Sequence, residues 1–157
     1  NMADKIQNAY ETSKNIYDDV LTQRNIFSKL YIKLFWSGTD DNDMARKVLS
    51  YVPDDFSGNF LDVPVGTAVF TENKWSSLKN AHITCLDYSI DMLDQARKRL
   101  GSHAHIKCIQ GDVGNLQMEN ESVDTVVSMN GFHAFPDKQK AFHEIWRVLK
   151  PGGNFIA

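Results

Sequence analysis

The sequence predicts an α/β fold: an open, mainly parallel sheet with helices on both faces, five strands present, and helices preceding the first strand. Two observations carry this prediction. From residue 59 onward, short runs rich in β-branched residues alternate with segments of helical periodicity, which is typical of βαβα units. These runs are nearly continuous in apolar residues, as in parallel strands that helices cover on both sides. The length of 157 residues, 42% of them hydrophobic, suits one such domain.

The N-terminal part of the chain, residues 1–52, is predicted to be a helical cap or lid. Between residues 2 and 36, apolar side chains recur at the spacings of an amphipathic helix, at Ile16, Val20, Phe27, Tyr31 and Leu34. The cluster at residues 37–40 interrupts this pattern, and a second helix is predicted from Asp41 to Tyr51, before Pro53. Residues 53–157 form the predicted core.

The core elements follow in order along the chain. The predicted strands are NFLDVPV, HITCLDY, HIKCIQ, VDTVVSM and the start of a fifth, NFIA. The predicted helices span residues 69–78, 89–100 and 137–149, and Gly101 closes the second. One face of the last helix is predicted to hold Phe142, Ile145, Trp146 and Leu149.

The end of the sequence carries two further expectations. The chain stops inside its fifth predicted strand, so we expect a core truncated after that strand. Residues 154–157 include Phe155 and Ile156, and no later element protects them. An unpaired apolar edge invites pairing with a second chain, which predicts a homodimer as one outcome.

Composition and charge argue against several classes of function. Seventeen Lys and Arg against twenty Asp and Glu give a net charge of -3, which does not favour nucleic acid as a partner. No apolar run approaches the roughly 20 residues of a membrane span, and no secretory signal is present, so a cytoplasmic protein is predicted. Cys85 and Cys108 lie in β-branched segments and are predicted to be small buried thiols rather than disulfide partners or metal ligands.

The first predicted strand leads into a turn of small residues between Asp62 and Ala68. In open α/β sheets, ligands bind where a strand passes into the following helix. Gly66 lets the backbone approach a ligand closely. Taken alone, such a turn is more typical of a plain connection between strand and helix.

Three predicted strands each deliver a carboxylate near their carboxyl end, namely Asp62, Asp87 and Asp112. Asp87 follows Gly66 by 21 residues, a spacing at which an acid accepts the hydroxyls of a ribose and repels a 2'-phosphate. Each acid has an ordinary alternative, because Asp87 suits the start of the next helix and all three suit solvated loops. Their joint occurrence predicts a nucleoside ligand.

In order and spacing, these motifs resemble those of the class I S-adenosylmethionine-dependent methyltransferases, particularly the small-molecule branch with the ubiquinone and menaquinone biosynthesis enzymes. The likeness covers roughly residues 58–157. FLDVPVGTA resembles the glycine-rich first motif, with Pro64 and Ala68 where glycines are usual. CLDYS, followed by Met92, resembles the ribose-binding motif, and GDV the loop that meets the adenine. The stretch from Ser122 through Asn130 to VLKPGG is similar to the fourth strand, the next helix and the closing turn.

The resemblance implies a Rossmann-like core that binds S-adenosylmethionine and transfers its methyl group to a small-molecule acceptor. It implies that Asp87 binds the ribose hydroxyls and that Tyr88 and Met92 flank the adenine. Asp112 would accept the exocyclic amine of the adenine, and Gly66 would lie against the methionine part. The other cofactor-binding residues implied by these motifs are Asp62, Pro64, Thr67, Gly111, Val113, Met129 and Asn130.

Other candidates lie outside these motifs. His133, just past the fourth predicted strand, is the candidate general base, with a structural hydrogen bond as the alternative role. Tyr17 and Trp36 are predicted pocket contacts, although the aromatic residues of this segment also suit packing on the domain. Phe132 and Phe135 are predicted to line an apolar acceptor site.

Two other functions remain open at this point. An NAD-dependent dehydrogenase shares the glycine turn and the acid about twenty residues later. A non-catalytic module that binds S-adenosylmethionine, or regulates through it, would fit a core in which the final strands of the resembled family have no counterpart. The sequence predicts neither the acceptor nor whether oxygen, nitrogen or carbon is methylated.

Overall fold

The structure, a computed structural model, describes residues 41–129 and 135–157. The helices are α1 (Asp41–Ser50), α2 (Glu72–Ser77), α3 (Ile90–Leu100) and α4 (Lys138–Val148). The strands are β1 (Gly58–Asp62), β2 (Ala81–Asp87), β3 (Ile106–Gln110), β4 (Val123–Val127) and β5 (Leu149–Ile156). None of the helices in this part of the chain has the length and apolar character needed to cross a bilayer.

The five strands form one sheet in the order β3-β2-β1-β4-β5, and every neighbouring pair is parallel. This confirms the predicted Rossmann-like architecture. The order reverses at β1, which lies between β2 and β4, and in such sheets the carboxyl ends of the strands border a ligand crevice. Strand β5 lies at an edge of the described sheet, and the homodimer through residues 154–157 stays a prediction.

Helices cover the sheet on both faces. Successive residues of a strand point to opposite faces, and neighbours along β1, such as Phe60 and Leu61, accordingly belong to separate core clusters. Trp75 of α2 and Leu93 of α3 pack in the first cluster, with Phe60, whereas Ile145 of α4 packs in the second, with Leu61. Helix α1 packs Val48 and Leu49 against the first cluster, as expected of an amphipathic helix.

Side-chain caps set where two helices begin. The Ser89 Oγ accepts a hydrogen bond from the N–H of Met92 at 3.3 Å, at the start of α3. The Asp137 carboxylate accepts one from the N–H of Lys140 at 3.0 Å, at the start of α4. Both residues satisfy N–H groups that a helix leaves without partners, and both helices begin within a residue of the predicted position.

Helix α2 is shorter than the predicted helix over 69–78. After β1 the backbone makes a tight turn in which Gly66 (φ 60°) and Ala68 (φ 63°) are both left-handed. A right-handed helix cannot include these residues, and residues 69–71 form turns after them, so α2 begins only at Glu72. Val69 is left half exposed in the connection.

Helix α4 buries a different face from the predicted one. Ile145 and Leu149 are buried as expected, but the prediction was wrong for Phe142 and Trp146, which are 50% and 72% exposed. The place of an apolar side chain in the buried face is taken by Glu144, which is 9% exposed. Ion pairing with Arg147, one turn along the helix, makes burial of this carboxylate tolerable.

Arg147 ties α4 to the loop before β4. Its guanidinium donates hydrogen bonds to the carbonyl oxygens of Leu116 at 2.9 Å and Met118 at 2.8 Å. The same group bonds both oxygens of Glu144, at 2.7 and 3.1 Å, and the Glu144 Oε1 accepts the N–H of Leu116 at 2.9 Å. The hydrogen bonds from Arg147 hold the pKa of Glu144 below its usual value. This planar, multidentate arrangement suits arginine and not lysine.

A second polar cluster joins the amino ends of three strands. The Asp124 carboxylate of β4 accepts a hydrogen bond from the N–H of Asn59 in β1 at 2.8 Å and contacts Lys150 Nζ of β5 at 3.2 Å. The hydrogen bond from Asn59 is the main cause that lowers the pKa of Asp124. Gly58 has φ 127°, and a Cβ there would lie 2.6 Å from the Asp124 Oδ2, so only glycine fits this approach.

Candidate functional site

The candidate site is a cavity of about 300 Å³ at the carboxyl ends of the strands. Its walls come from four segments: the residues after β1, the end of β2, the loop after β3, and the loop between β4 and α4. They are residues 63–64, 86–88, 111–114 and 135–137, joined by Lys140. The cavity therefore lies in the crevice that the strand order predicts.

Asp87 is the buried acid of this cavity. It ends β2, is 1% exposed, and lines the cavity wall. Its Oδ2 accepts the N–H of Gly66 at 2.9 Å, and its Oδ1 accepts the N–H of Ser89 at 2.9 Å. Burial raises the pKa of Asp87 to about 6, and these backbone N–H groups oppose the rise. At neutral pH the carboxylate is therefore mainly ionised and rigidly oriented.

The loop after β3 forms the facing wall. Asp112 is exposed, and its Oδ1 accepts the N–H of Gly114 at 2.8 Å. Val113 is buried, while the N–H of Gly111 donates to the Asp87 carbonyl oxygen at 3.0 Å and so joins the two loops. A Cβ on Gly111 would lie 2.8 Å from Leu86 Cδ1, so the absent side chain permits this close approach.

Tyr88 and Pro64 also line the cavity, whereas Gly66 and Thr67, in the turn after β1, do not. Tyr88 is 44% exposed and lines the cavity, with its carbonyl oxygen accepting a hydrogen bond from Gln110 at 3.3 Å. Pro64 lines the cavity beside Val63. The left-handed Gly66 has open space where a side chain would stand, and Thr67 uses its Oγ1 to accept the N–H of Val69 at 3.4 Å.

Asp62 is placed differently from the other two acids. It is 1% exposed, does not line this cavity, and its Oδ2 accepts the indole N–H of Trp75 at 2.8 Å. Burial raises the pKa of Asp62 to about 7, while the Trp75 hydrogen bond opposes that rise and the nearby Asp87 adds to it. Through Trp75, which belongs to the first core cluster, Asp62 lies on the face of the sheet that carries this cluster.

The remaining predicted residues fall into two groups. Met92 is 2% exposed in the first turn of α3, and Met129 is partly buried against the first core cluster, so neither lines the cavity in the described structure. Five predicted residues lie outside the described ranges: Tyr17, Trp36, Asn130, Phe132 and His133. Their roles, like those of the residues above, stay predictions.

The structure adds lining residues that the sequence reasoning missed. Asp137 and Lys140, at the first turn of α4, line the cavity together with Phe135, which is 3% exposed. Phe135 was predicted to line an acceptor site, whereas Asp137 and Lys140 had no assigned role. The available signal was positional, because a helix that follows a parallel strand starts at the ligand edge of the sheet.

The charged side chains of the cavity favour a cationic ligand. Its described walls carry three carboxylates, Asp87, Asp112 and Asp137, against the single ammonium group of Lys140. Such a wall attracts a cationic ligand and opposes a polyphosphate. No group of His, Cys, Asp and Glu side chains in the described ranges has the arrangement of a metal site.

Comparison with known proteins identifies relatives of the chain. A family model described as a methyltransferase domain matches residues 60–153. A demethylmenaquinone methyltransferase of Leptospira interrogans is 33% identical over 121 residues, which cover 73% of this chain and 47% of that protein. A demethylmenaquinone methyltransferase of Staphylococcus epidermidis is 36% identical over 97 residues, covering 61% of this chain and 40% of that protein.

Solved structures agree on the fold. A chain in the complex between the Trm112 methyltransferase activator of Haloferax volcanii and a methyltransferase superposes with a TM-score of 0.65 at 26% identity. The match covers 82% of this chain and 54% of that chain. The chain spans about half the length of the curated relatives it matches, or less.

Proposed function

This chain belongs to the methyltransferase-domain family, and from that premise we propose that it binds S-adenosylmethionine and transfers its methyl group to a small-molecule acceptor. The observation that carries the proposal is the cavity at the carboxyl ends of the strands, with the buried Asp87 in one wall and the exposed Asp112 in the other. Family membership also favours methyl transfer over the NAD-dependent dehydrogenase that the sequence left open.

The adenosine part of the cofactor fits the donor and acceptor groups of the cavity. An ionised carboxylate has about four lone-pair positions, and backbone N–H groups occupy only part of that capacity at Asp87. Asp87 can therefore also accept the two ribose hydroxyls. Tyr88 and Val113 supply an aromatic ring and an aliphatic side chain that suit the faces of a planar base. Asp112 suits the exocyclic amine as an exposed acceptor at the mouth.

The charge of the cavity fits the other end of the cofactor. When bound, S-adenosylmethionine supplies a methyl group attached to a positively charged sulfur. Carboxylates stabilise that charge, and they would repel the pyrophosphate of a dinucleotide. At Gly66, no atom lies within 4 Å of the point that a Cβ would occupy, which leaves room for the methionine part beside the turn.

In this reaction the chain binds the cofactor and the acceptor, orients them towards each other and excludes water. Methyl transfer needs an acceptor atom aligned with the methyl carbon, and fixed orientation supplies most of such an acceleration. The hydrogen bonds to Asp87 fix one wall, and the Arg147 bonds to residues 116 and 118 fix the loop that continues the other. If the acceptor loses a proton, His133 is the proposed general base that takes it on a ring nitrogen.

The proposed acceptor is a small molecule with an apolar part. Val63, Leu86, Val113 and Phe135 give the cavity an apolar lining beside its carboxylates. The relatives from Leptospira interrogans and Staphylococcus epidermidis are named for demethylmenaquinone, and a quinol of that kind joins an apolar body to a methyl-accepting ring. These names support, as a proposal, a quinol-like acceptor for this chain.

The proposal is tested by calorimetric titration with S-adenosylhomocysteine and with NAD. The wild type should bind S-adenosylhomocysteine, and Asp87→Asn should weaken binding by about 10- to 100-fold, because a hydrogen bond to a charged group contributes about 1.5–3 kcal/mol. Asp94→Asn is the matched control, since Asp94 is an exposed aspartate of α3 that pairs only with Arg97 in the described contacts. Circular dichroism checks that each variant is folded.

Methyl transfer is measured separately with labelled S-adenosylmethionine and a panel of quinols, phenols and amines. Label transferred to a quinol supports the proposed acceptor class. Binding of NAD without S-adenosylhomocysteine overturns the cofactor assignment. Binding of S-adenosylhomocysteine without transfer to any acceptor, in this chain and in a longer one, favours the non-catalytic module.

A further inference from the structure

Two cysteines face each other across neighbouring strands beneath the cavity. Cys85 of β2 and Cys108 of β3 are direct partners in the parallel register. Neighbouring strands lie about 4.8 Å apart, which is within the range of about 4.4–6.8 Å between the Cα atoms of disulfide-bonded cysteines. Both side chains pack in the first core cluster, so they lie on the same face of the sheet. Both thiols are free in this structure.

The two thiols differ in exposure and in acidity. Cys85 is fully buried, whereas Cys108 is partly exposed and belongs to the edge strand β3. Hydrogen bonding of its thiolate to the Cys85 thiol, together with the charge of Arg97, lowers the pKa of Cys108 to about 7, and burial opposes this fall. The same hydrogen bond, followed by burial and the nearby Asp62, raises the pKa of Cys85. The accessible thiol is thus the one that ionises near neutral pH.

This asymmetry matches the two roles of a redox-active pair. The thiolate is the nucleophile in thiol oxidation, so an accessible thiolate reacts first. A neighbouring thiol then resolves the product into a disulfide. Arg97 supports the assignment by geometry, because its guanidinium also donates to the Cys108 carbonyl oxygen at 3.1 Å and so stays beside this residue.

We propose that Cys108 and Cys85 are a hydroperoxide-sensitive dithiol, in which Cys108 is oxidised first and Cys85 closes the disulfide. The Cys108 thiolate attacks one oxygen of hydrogen peroxide, the O–O bond breaks, and the departing hydroxide takes a proton to become water. The Cys85 sulfur then attacks the Cys108 sulfenic acid, forming the S–S bond and breaking the S–O bond. The released hydroxide takes the Cys85 proton as a second water. Two thiols are oxidised and one peroxide is reduced.

The dithiol is joined to the ligand cavity by the strands that carry it. Two residues after Cys85, β2 ends at Asp87, and three residues after Cys108 the chain reaches Gly111 in the facing wall. A disulfide needs its sulfur atoms about 2.05 Å apart, much closer than a hydrogen bond between thiols allows. Closing it therefore shifts the two strands that present Asp87 and Gly111. We expect oxidation to weaken nucleoside binding, and this second consequence rests on the proposed function.

The experiment treats the whole chain with a small excess of hydrogen peroxide, followed by alkylation in denaturant and mass spectrometry. The wild type should lose two hydrogen atoms, resist alkylation at both cysteines, and stay a single chain on a non-reducing gel. Cys85→Ala should stop at a sulfenic acid on Cys108 that dimedone traps. Cys108→Ala should leave Cys85 unmodified under the same conditions. Dithiothreitol should restore both thiols of the wild type.

The outcomes separate the two parts of the inference. Oxidation of Cys108 with Cys85 still open to alkylation, or equal reactivity of Cys108→Ala and the wild type, overturns the dithiol. A disulfide that leaves the affinity for S-adenosylhomocysteine unchanged overturns its effect on the cavity, whereas several-fold weaker binding that dithiothreitol reverses supports it. Failure of the reduced protein to bind S-adenosylhomocysteine counts against the proposed function, and the mass measurement still decides the dithiol.

Discussion

Replacing Asp62 with asparagine should remove a pH-dependent destabilisation from the core. Asp62 is 1% exposed and accepts the indole N–H of Trp75 at 2.8 Å, a bond that the side-chain oxygen of asparagine can also accept. Asparagine does not ionise, so it keeps the hydrogen bond without the buried charge. We expect Asp62→Asn to be more stable than the wild type above neutral pH.

The magnitude follows from the pKa of this carboxyl. Burial raises it from 3.8 to about 7, so the folded state holds a proton that the unfolded state has released between these two pH values. Stability therefore falls as the pH rises through this window, by about 1.4 kcal/mol for each pH unit. From pH 5 to pH 8 the contribution of Asp62 is about 3 kcal/mol. Asp87, with a pKa of about 6, adds a fall of about 1 kcal/mol that the substitution leaves in place.

The assay is urea unfolding followed by far-ultraviolet circular dichroism at pH 5 and pH 8. The free energy of unfolding of the wild type should fall by about 4 kcal/mol between these values, and that of Asp62→Asn by about 1 kcal/mol. Asp55→Asn, at an exposed aspartate, is the control and should follow the wild type. An equal fall in Asp62→Asn and the wild type would refute the claim that this buried carboxyl controls the pH dependence.

Three further predictions concern the cavity, the loop and the amino edge of the sheet. Because the pKa of Asp87 is about 6, affinity for S-adenosylhomocysteine should be constant above pH 7 and fall below pH 6 in calorimetry, and Asp87→Asn should abolish this dependence. Arg147→Lys should lower the free energy of unfolding by about 2–3 kcal/mol in urea, since lysine cannot replace the forked contacts, while Arg46→Lys at an exposed site should be neutral. Gly58→Ala should cost about 1–3 kcal/mol in thermal unfolding, because φ is 127° and the new Cβ meets Asp124, and a loss no greater than that of Ser57→Ala would contradict this reason.

The sequence predicts the features that repeat along the chain. The nearly continuous apolar runs predict the five parallel strands, because strands buried on both faces have no polar alternation. The placement of Asp87 and Asp112 in one cavity follows from the same reasoning, since parallel strands end at a common edge. Topology fixes the position of these two acids, so it can be predicted without knowledge of individual side-chain contacts.

Features that depend on long-range partners are the ones that sequence reasoning misses. The spacing of Phe142 and Trp146 favours a buried face, but Glu144 occupies it because Arg147 and the N–H of Leu116 compensate its charge. Asp62 is equivalent to Asp87 in sequence context, but it accepts a hydrogen bond from the indole of Trp75, thirteen positions away, and does not line the cavity. The Glu144–Arg147 pair is local, but Leu116 lies 28 positions from Glu144 and Trp75 lies 13 positions from Asp62, so no local pattern indicates these two contacts.

The opposite ends of the strands have separate tasks. At the amino ends of the strands, the Asp124 carboxylate of β4 contacts Asn59 of β1 and Lys150 of β5 and so joins the three strands. The residues that form the cavity lie at the opposite, carboxyl ends. The effect of substitutions on ligand binding should therefore differ between the amino ends and the carboxyl ends of the strands. Stabilising substitutions can therefore be made at the amino ends of the strands, away from the cavity. Substitutions meant to change ligand specificity can be confined to the carboxyl ends.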